Sequence, residues 1–112
     1  MPSSWVIHRF RRAFLQENLT LVSLRLLRGS EMSEWEVLDS IYSRYRLAPD
    51  AKEIRKVLDA LVSGGYASSE LAGEVRKLRI TRTGLELLQG LEEEYRAIVS
   101  RIEAEAPGPI AR

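Results

Sequence analysis

The chain has 112 residues, 45% of them hydrophobic and 29% charged, with a formal net charge of +1. That length gives room for one domain with a modest core, and so small a net charge names no partner by itself. The absence of cysteine excludes disulfides and thiolate chemistry, and no apolar run approaches the ~20 residues that a membrane span needs. The segment His8-Arg9-Phe10-Arg11-Arg12 places charge after the first apolar residues rather than before them, unlike a secretory signal, so a cytoplasmic location is expected.

Residues 4–17 read as a first helix, with Val6, Phe10 and Phe14 at four-residue spacing and Ile7 beside them. Asn18 is a candidate cap for a second helix, Leu19 to Arg28, which Gly29 ends. Ser33-Glu34-Trp35-Glu36 has the form of a capping box and opens a third helix to about Arg46. Its expected inner stripe is Leu38, Ile41, Tyr42 and Tyr45, flanked by Val37. Leu47-Ala48-Pro49 breaks that helix, because a residue before proline disfavours helical backbone. Asp50 then caps a fourth, whose inner stripe is Ile54, Val57, Leu58, Leu61 and Val62. Gly64-Gly65 stops it. A hairpin follows, turning near Ala72-Gly73-Glu74 and returning with Leu78 and Ile80 on one face and Lys77 and Arg79 on the other. A last helix, threonine-capped, starts near Thr83 and runs to about Ala104, ahead of Pro107-Gly108-Pro109.

Helix, turn, helix, hairpin and helix in this order predict a mainly α fold with an α+β wing, a winged helix-turn-helix. The expected division is an N-terminal helix over 1–17, the winged domain over 18–84, a C-terminal dimerisation helix over 85–106 and a flexible tail over 107–112. Charge is distributed to match. Residues 1–30 carry five Arg against one Glu, residues 67–84 four basic against two acidic, and residues 85–112 six Glu against three Arg.

Two constellations carry functional expectations. In a helix-turn-helix the second helix enters the major groove of DNA. Here Lys52, Arg55 and Lys56 lie outside the apolar stripe and are free to reach it, while Arg76, Lys77 and Arg79 on the wing could grip backbone or dip into a minor groove. Asp50, Glu53 and Asp59 leave that helix with no net charge, so the same fold serving as a protein-interaction module is the alternative. The second constellation is the seam Leu88, Leu91, Tyr95, Ile98 and Ile102, stepping by three and four. A stripe of this length needs a partner helix, and Phe10 and Phe14 also seek cover. A two-fold dimer through these seven residues is expected; packing of the last helix on the chain's own first helix is the competing arrangement.

Three segments resemble the PadR family of winged-helix transcriptional regulators: Trp35-Glu36-Val37, Leu58-Asp59-Ala60-Leu61-Val62-Ser63-Gly64-Gly65-Tyr66, and Leu78-Arg79-Ile80-Thr81-Arg82-Thr83-Gly84-Leu85-Glu86-Leu87-Leu88. The resemblance spans about residues 19–102. It implies a homodimer through the C-terminal helix, double-stranded operator DNA as partner and, usually, repression; some relatives hold a flat aromatic effector between subunits, on which Trp5 or Trp35 could stack, but the favoured reading of both is as core or dimer anchors, and no effector is assigned. The sequence departs from the family pattern at Glu34, where glycine is usual, at Arg55-Lys56, where Tyr-Pro is usual, and in its N-terminal helix. Nothing in the chain has the spacing of a phosphate loop, a nucleophile elbow or a metal site, and His8 is the only histidine. No enzyme activity, cofactor or metal is expected.

Overall fold

The computed structural model describes residues 4–105; the tail expected over 107–112 lies outside them. The elements follow in the order α1 (Ser4–Glu17), α2 (Leu19–Gly29), β1 (Met32–Ser33), α3 (Glu34–Tyr45), α4 (Ala51–Ser63), β2 (Ala67–Ala72), β3 (Val75–Ile80) and α5 (Arg82–Glu105). The three strands form one antiparallel sheet in the order β1-β3-β2. From α2 onward this is a winged helix, with α3 and α4 as the helix-turn-helix and β2-β3 as the wing. No helix among the described residues is long and apolar enough to cross a membrane.

The core is built where the helical stripes meet the central strand. Leu24 of α2, Val37 and Ile41 of α3, Ile54 and Leu58 of α4, Leu78 of β3 and Leu88 of α5 are all fully buried. The α4 stripe is as its spacing predicts, with Val57 and Val62 half-buried at the edges. In α3 the stripe is rotated. Val37 and Ile41 face inward, while Tyr42 and Tyr45 are exposed. Periodicity locates a stripe only to within one residue of helical rotation, and here the smaller pair fits against α4.

Junctions show why each element stops. Ser33 Oγ accepts from the Glu36 amide at 3.1 Å, and Glu36 Oε1 accepts from the Ser33 amide at 2.8 Å, which completes the capping box. Asp50 Oδ1 accepts from the Lys52 amide at 2.9 Å. At the end of α4, Gly65 takes φ 83°, its amide donating to Val62 O at 3.1 Å and the Tyr66 amide donating to Leu61 O at 2.8 Å. That pair of bonds is a Schellman ending, which favours glycine at the left-handed position. Asn18 does not cap α2. Its Nδ2 donates to Phe14 O at 2.8 Å and closes the end of α1 instead.

The last helix begins at Arg82, one residue before the expected Thr83, and its cap is Thr81. Thr81 Oγ1 donates to Gly65 O at 2.6 Å and accepts from the Gly84 amide at 3.0 Å, so one hydroxyl caps α5 and ties it to the end of α4. Gly84 is buried in the first turn, and a Cβ there would run into the Tyr66 carbonyl oxygen. These two contacts explain the Thr-x-x-Gly spacing. Gly84→Ala must displace backbone, so it is expected to lower stability by about 1–3 kcal/mol in denaturant titrations. An unchanged midpoint would show that the junction has slack that the packing does not reveal.

Candidate nucleic-acid interface

α4 follows the Leu47-Ala48-Pro49 turn with its apolar stripe against α2 and α3, which leaves Lys52, Arg55 and Lys56 exposed. β3 is paired on both sides, to β1 through Met32↔Leu78 and to β2 through six residue pairs from Ala67↔Ile80 to Ala72↔Val75. Burial of Leu78 fixes the strand's facing, so Lys77 and Arg79 turn away from the core as the alternation predicts.

The sequence does not reveal what these cations touch. Arg55 binds Glu34 of α3, with Nε 3.3 Å from both carboxylate oxygens and Nη2 3.1 Å from Oε2. Arg76 Nη2 lies 2.9 Å from Asp59 Oδ1 of α4, and Lys77 Nζ lies 3.0 Å from Glu36 Oε1 of α3. Arg79 stands 3.7 Å from Glu31, and Lys56 stands 4.0 Å from Glu53 one turn before it. Of the six expected contact residues, Lys52 alone forms no ion pair among the described residues. The bonds from α3 to α4, from α4 to β3 and from β3 back to α3 join the start of α3, the helix α4 and the wing into one ion-pair network. Trp35, 71% exposed, lies between Glu34 and Glu36 on the first turn of α3. It is not a core residue.

The carboxylates Glu31, Glu34 and Glu36 are the members of this surface that sequence reasoning missed. Glu36 was legible as a cap, and it is one; it also holds Lys77. Its carboxyl is held below the usual glutamate range, first by the Ser33 amide and then by Lys77. Glu34 raises the Arg55 guanidinium above its already high value through their hydrogen bonds.

The expected dimer seam is divided by the structure. Leu88 is buried in the chain's own core and offers nothing to a partner, which corrects its assignment to the interface. Leu91 is half-buried against that core, while Tyr95, Ile98 and Ile102 are exposed. Phe10 is 68% exposed, and Phe14 meets Tyr95 edge-to-face at 6.1 Å. Among the described residues of α1 only Leu15 is buried, so its aromatic residues and Trp5 are surface, not core. Packing of the last helix on the chain's own first helix is therefore confined to the Phe14–Tyr95 contact and its surroundings. Glu92 receives Arg25 at 3.5 Å and Arg28 at 3.4 Å and fastens α5 to α2. No cluster of metal-ligating side chains occurs among the described residues.

No protein-family model matches the sequence, and no curated protein matches it. Solved structures do match its fold. A transcriptional regulator from Clostridium thermocellum superposes with a TM-score of 0.77 at 17% identity, over 84% of this chain and 95% of its own. A PadR family transcriptional regulator from Eggerthella lenta superposes with a TM-score of 0.76 at 19% identity, over 94% and 92%. A winged-helix DNA-binding protein from STIV gives 0.64 at 18% identity, over 76% and 92%. At these identities the likeness is one of fold. The fold is the winged helix that PadR-type regulators adopt, and the likeness to the Eggerthella protein takes in nearly the whole of this chain.

The carboxylate at Glu36 supplies a direct check on the surface. Because its folded pKa is depressed, its contribution to stability is present at neutral pH and is lost as pH falls below the ordinary carboxylate range. In an NMR titration Glu36 should titrate below an exposed glutamate. Lys77→Met should raise its pKa only part of the way, since the Ser33 amide, the larger cause, remains. A Lys77→Met change that leaves the Glu36 pKa where it was would mean that the α3–wing link does not form in solution, and a Glu36 indistinguishable from exposed glutamates would mean that the cap does not form either.

Proposed function

We propose that this protein is a PadR-like, dimeric, sequence-specific DNA-binding transcriptional regulator acting in the cytoplasm, with repression as the expected sign. The observation that carries the reading is the joining of α4 and β3 cations into one surface on a winged helix. In this reading Lys52, Arg55 and Lys56 enter the major groove, while Arg76, Lys77 and Arg79 hold the flanking backbone. Exposed ion pairs are weak, so phosphates can exchange for the carboxylates that now hold the wing.

Dimerisation is argued from the apolar faces. Tyr95, Ile98 and Ile102 on α5 and Ile7, Phe10 and Phe14 on α1 leave more exposed aromatic and aliphatic surface in one region than a soluble monomer usually carries. A two-fold partner would cover both sets and hold two recognition helices roughly 34 Å apart, one DNA turn. The interface is then Leu91, Tyr95, Ile98 and Ile102 with Phe10 and Phe14.

One observation favours a second reading, a protein-docking module: nearly every cation of the surface already has a carboxylate. A heparin column separates the two, since elution only at high salt supports DNA binding and flow-through supports docking.

Affinity for a duplex enriched from random DNA should fall about a hundredfold or more over a fourfold rise in salt, because phosphate contacts release counterions. A flat response would remove the electrostatic mechanism. Light scattering should give twice the 12.8 kDa chain mass. Tyr95→Glu with Ile98→Glu should give folded monomer, because both side chains are exposed in the single chain. A dimer that survives both changes would refute this interface.

A further inference from the structure

We propose that Glu34 is a positioning residue for base readout. It holds the Arg55 guanidinium by one edge so that the other edge is presented to a guanine. The inference rests on the DNA-binding reading above.

A guanidinium has two edges that can make paired hydrogen bonds: the side edge, Nε with Nη2, and the end edge, Nη1 with Nη2. Glu34 occupies the side edge, taking Nε at 3.3 Å and Nη2 at 3.1 Å. Nη1 has no hydrogen-bond partner among the described residues. The side chain of Glu34 is 23% exposed and that of Arg55 is 65% exposed. The carboxylate is therefore the inner, anchored member and the guanidinium the outer one. Its anchor is rigid, because Glu34 starts α3 and α3 is fixed to α4 through Val37, Ile41, Ile54 and Leu58.

Other roles for Glu34 are already filled. The cap of α3 is Ser33 with Glu36, and an exposed ion pair adds little stability. A carboxylate on a surface that meets phosphates weakens binding to every DNA sequence alike. What it supplies in return is direction. An unrestrained arginine satisfies any nearby phosphate, whereas one held by its side edge offers the end-on fork that fits guanine O6 and N7. Glu34 and Arg55 are also two positions at which the sequence leaves the pattern it resembles, and they touch each other.

The test measures affinity for two probes: the duplex that the parent enriches from a random library, with its single-base-pair variants, and a scrambled duplex. Glu34→Gln keeps size and the Ser33–Glu36 cap. It should bind scrambled DNA about two- to fivefold more tightly, because one repulsive charge is gone. Its discrimination at one G·C pair should fall about tenfold, as expected when a bidentate contact loses its geometry. Arg55→Lys should lose the same discrimination at the same base pair, and adding Glu34→Gln to it should change the ratio no further. Unchanged discrimination in Glu34→Gln would overturn the proposal. So would an equal gain on both probes, which would make Glu34 a bystander charge, or additive losses in the double variant, which would make the two residues independent. A parent that enriches no sequence would remove the DNA reading and this inference with it.

Discussion

Strand β3 sets the working surface of this molecule because both other strands pair with it and its centre is buried. Leu78 lies fully inside, between Met32 of β1 on one side and Ser69 of β2 on the other. A one-residue slip would turn Leu78 outward and Lys77 and Arg79 into the core. The register is therefore held by burial together with the two-residue turn at Gly73-Glu74, where Gly73 takes φ 69°. Once it is set, the outward cations of the wing stand beside the first turn of α3 and the outer face of α4, and the ion pairs that join those elements follow from that placement.

Those ion pairs decide how the surface can behave. Exposed pairs add little to stability, so the fold does not need them. They order long, flexible side chains that would otherwise have many conformations, and they cancel the long-range field that would draw the protein to any polyanion. In the proposed DNA-binding reading, a surface balanced in this way trades affinity for selectivity. Duplex DNA, with a regular array of phosphates, can replace several weak carboxylate partners at once, which an isolated anion cannot do.

The fold was legible in the sequence because its punctuation is local. The Ser33–Glu36 cap, Asp50, the Gly64-Gly65 stop and the Gly73 turn each act within a few residues, and each stands where it was read. β1 was not legible, since two residues make no pattern, and neither was the inward turn of Val37 in place of Tyr42. The candidate site was half legible. Spacing on a helix or strand identified the cations as outward-facing, except Arg76, which shares the face of Leu78 and turns to Asp59 of α4. Their partners lie 17 to 48 residues away in all pairs but Lys56–Glu53, and no local pattern encodes such a distance. The same blindness joined Leu88 to the seam, because a heptad does not say which of its members the chain's own body will cover.

The central claim, that the α3 start, α4 and the wing form one duplex-binding surface, is tested most directly by following backbone amide resonances as a short duplex is added. The account predicts that the largest changes fall on residues 33–36, 50–59 and 75–80, with the outer half of α5 unmoved. Changes confined to α1 and α5, or none at any duplex concentration, would contradict it.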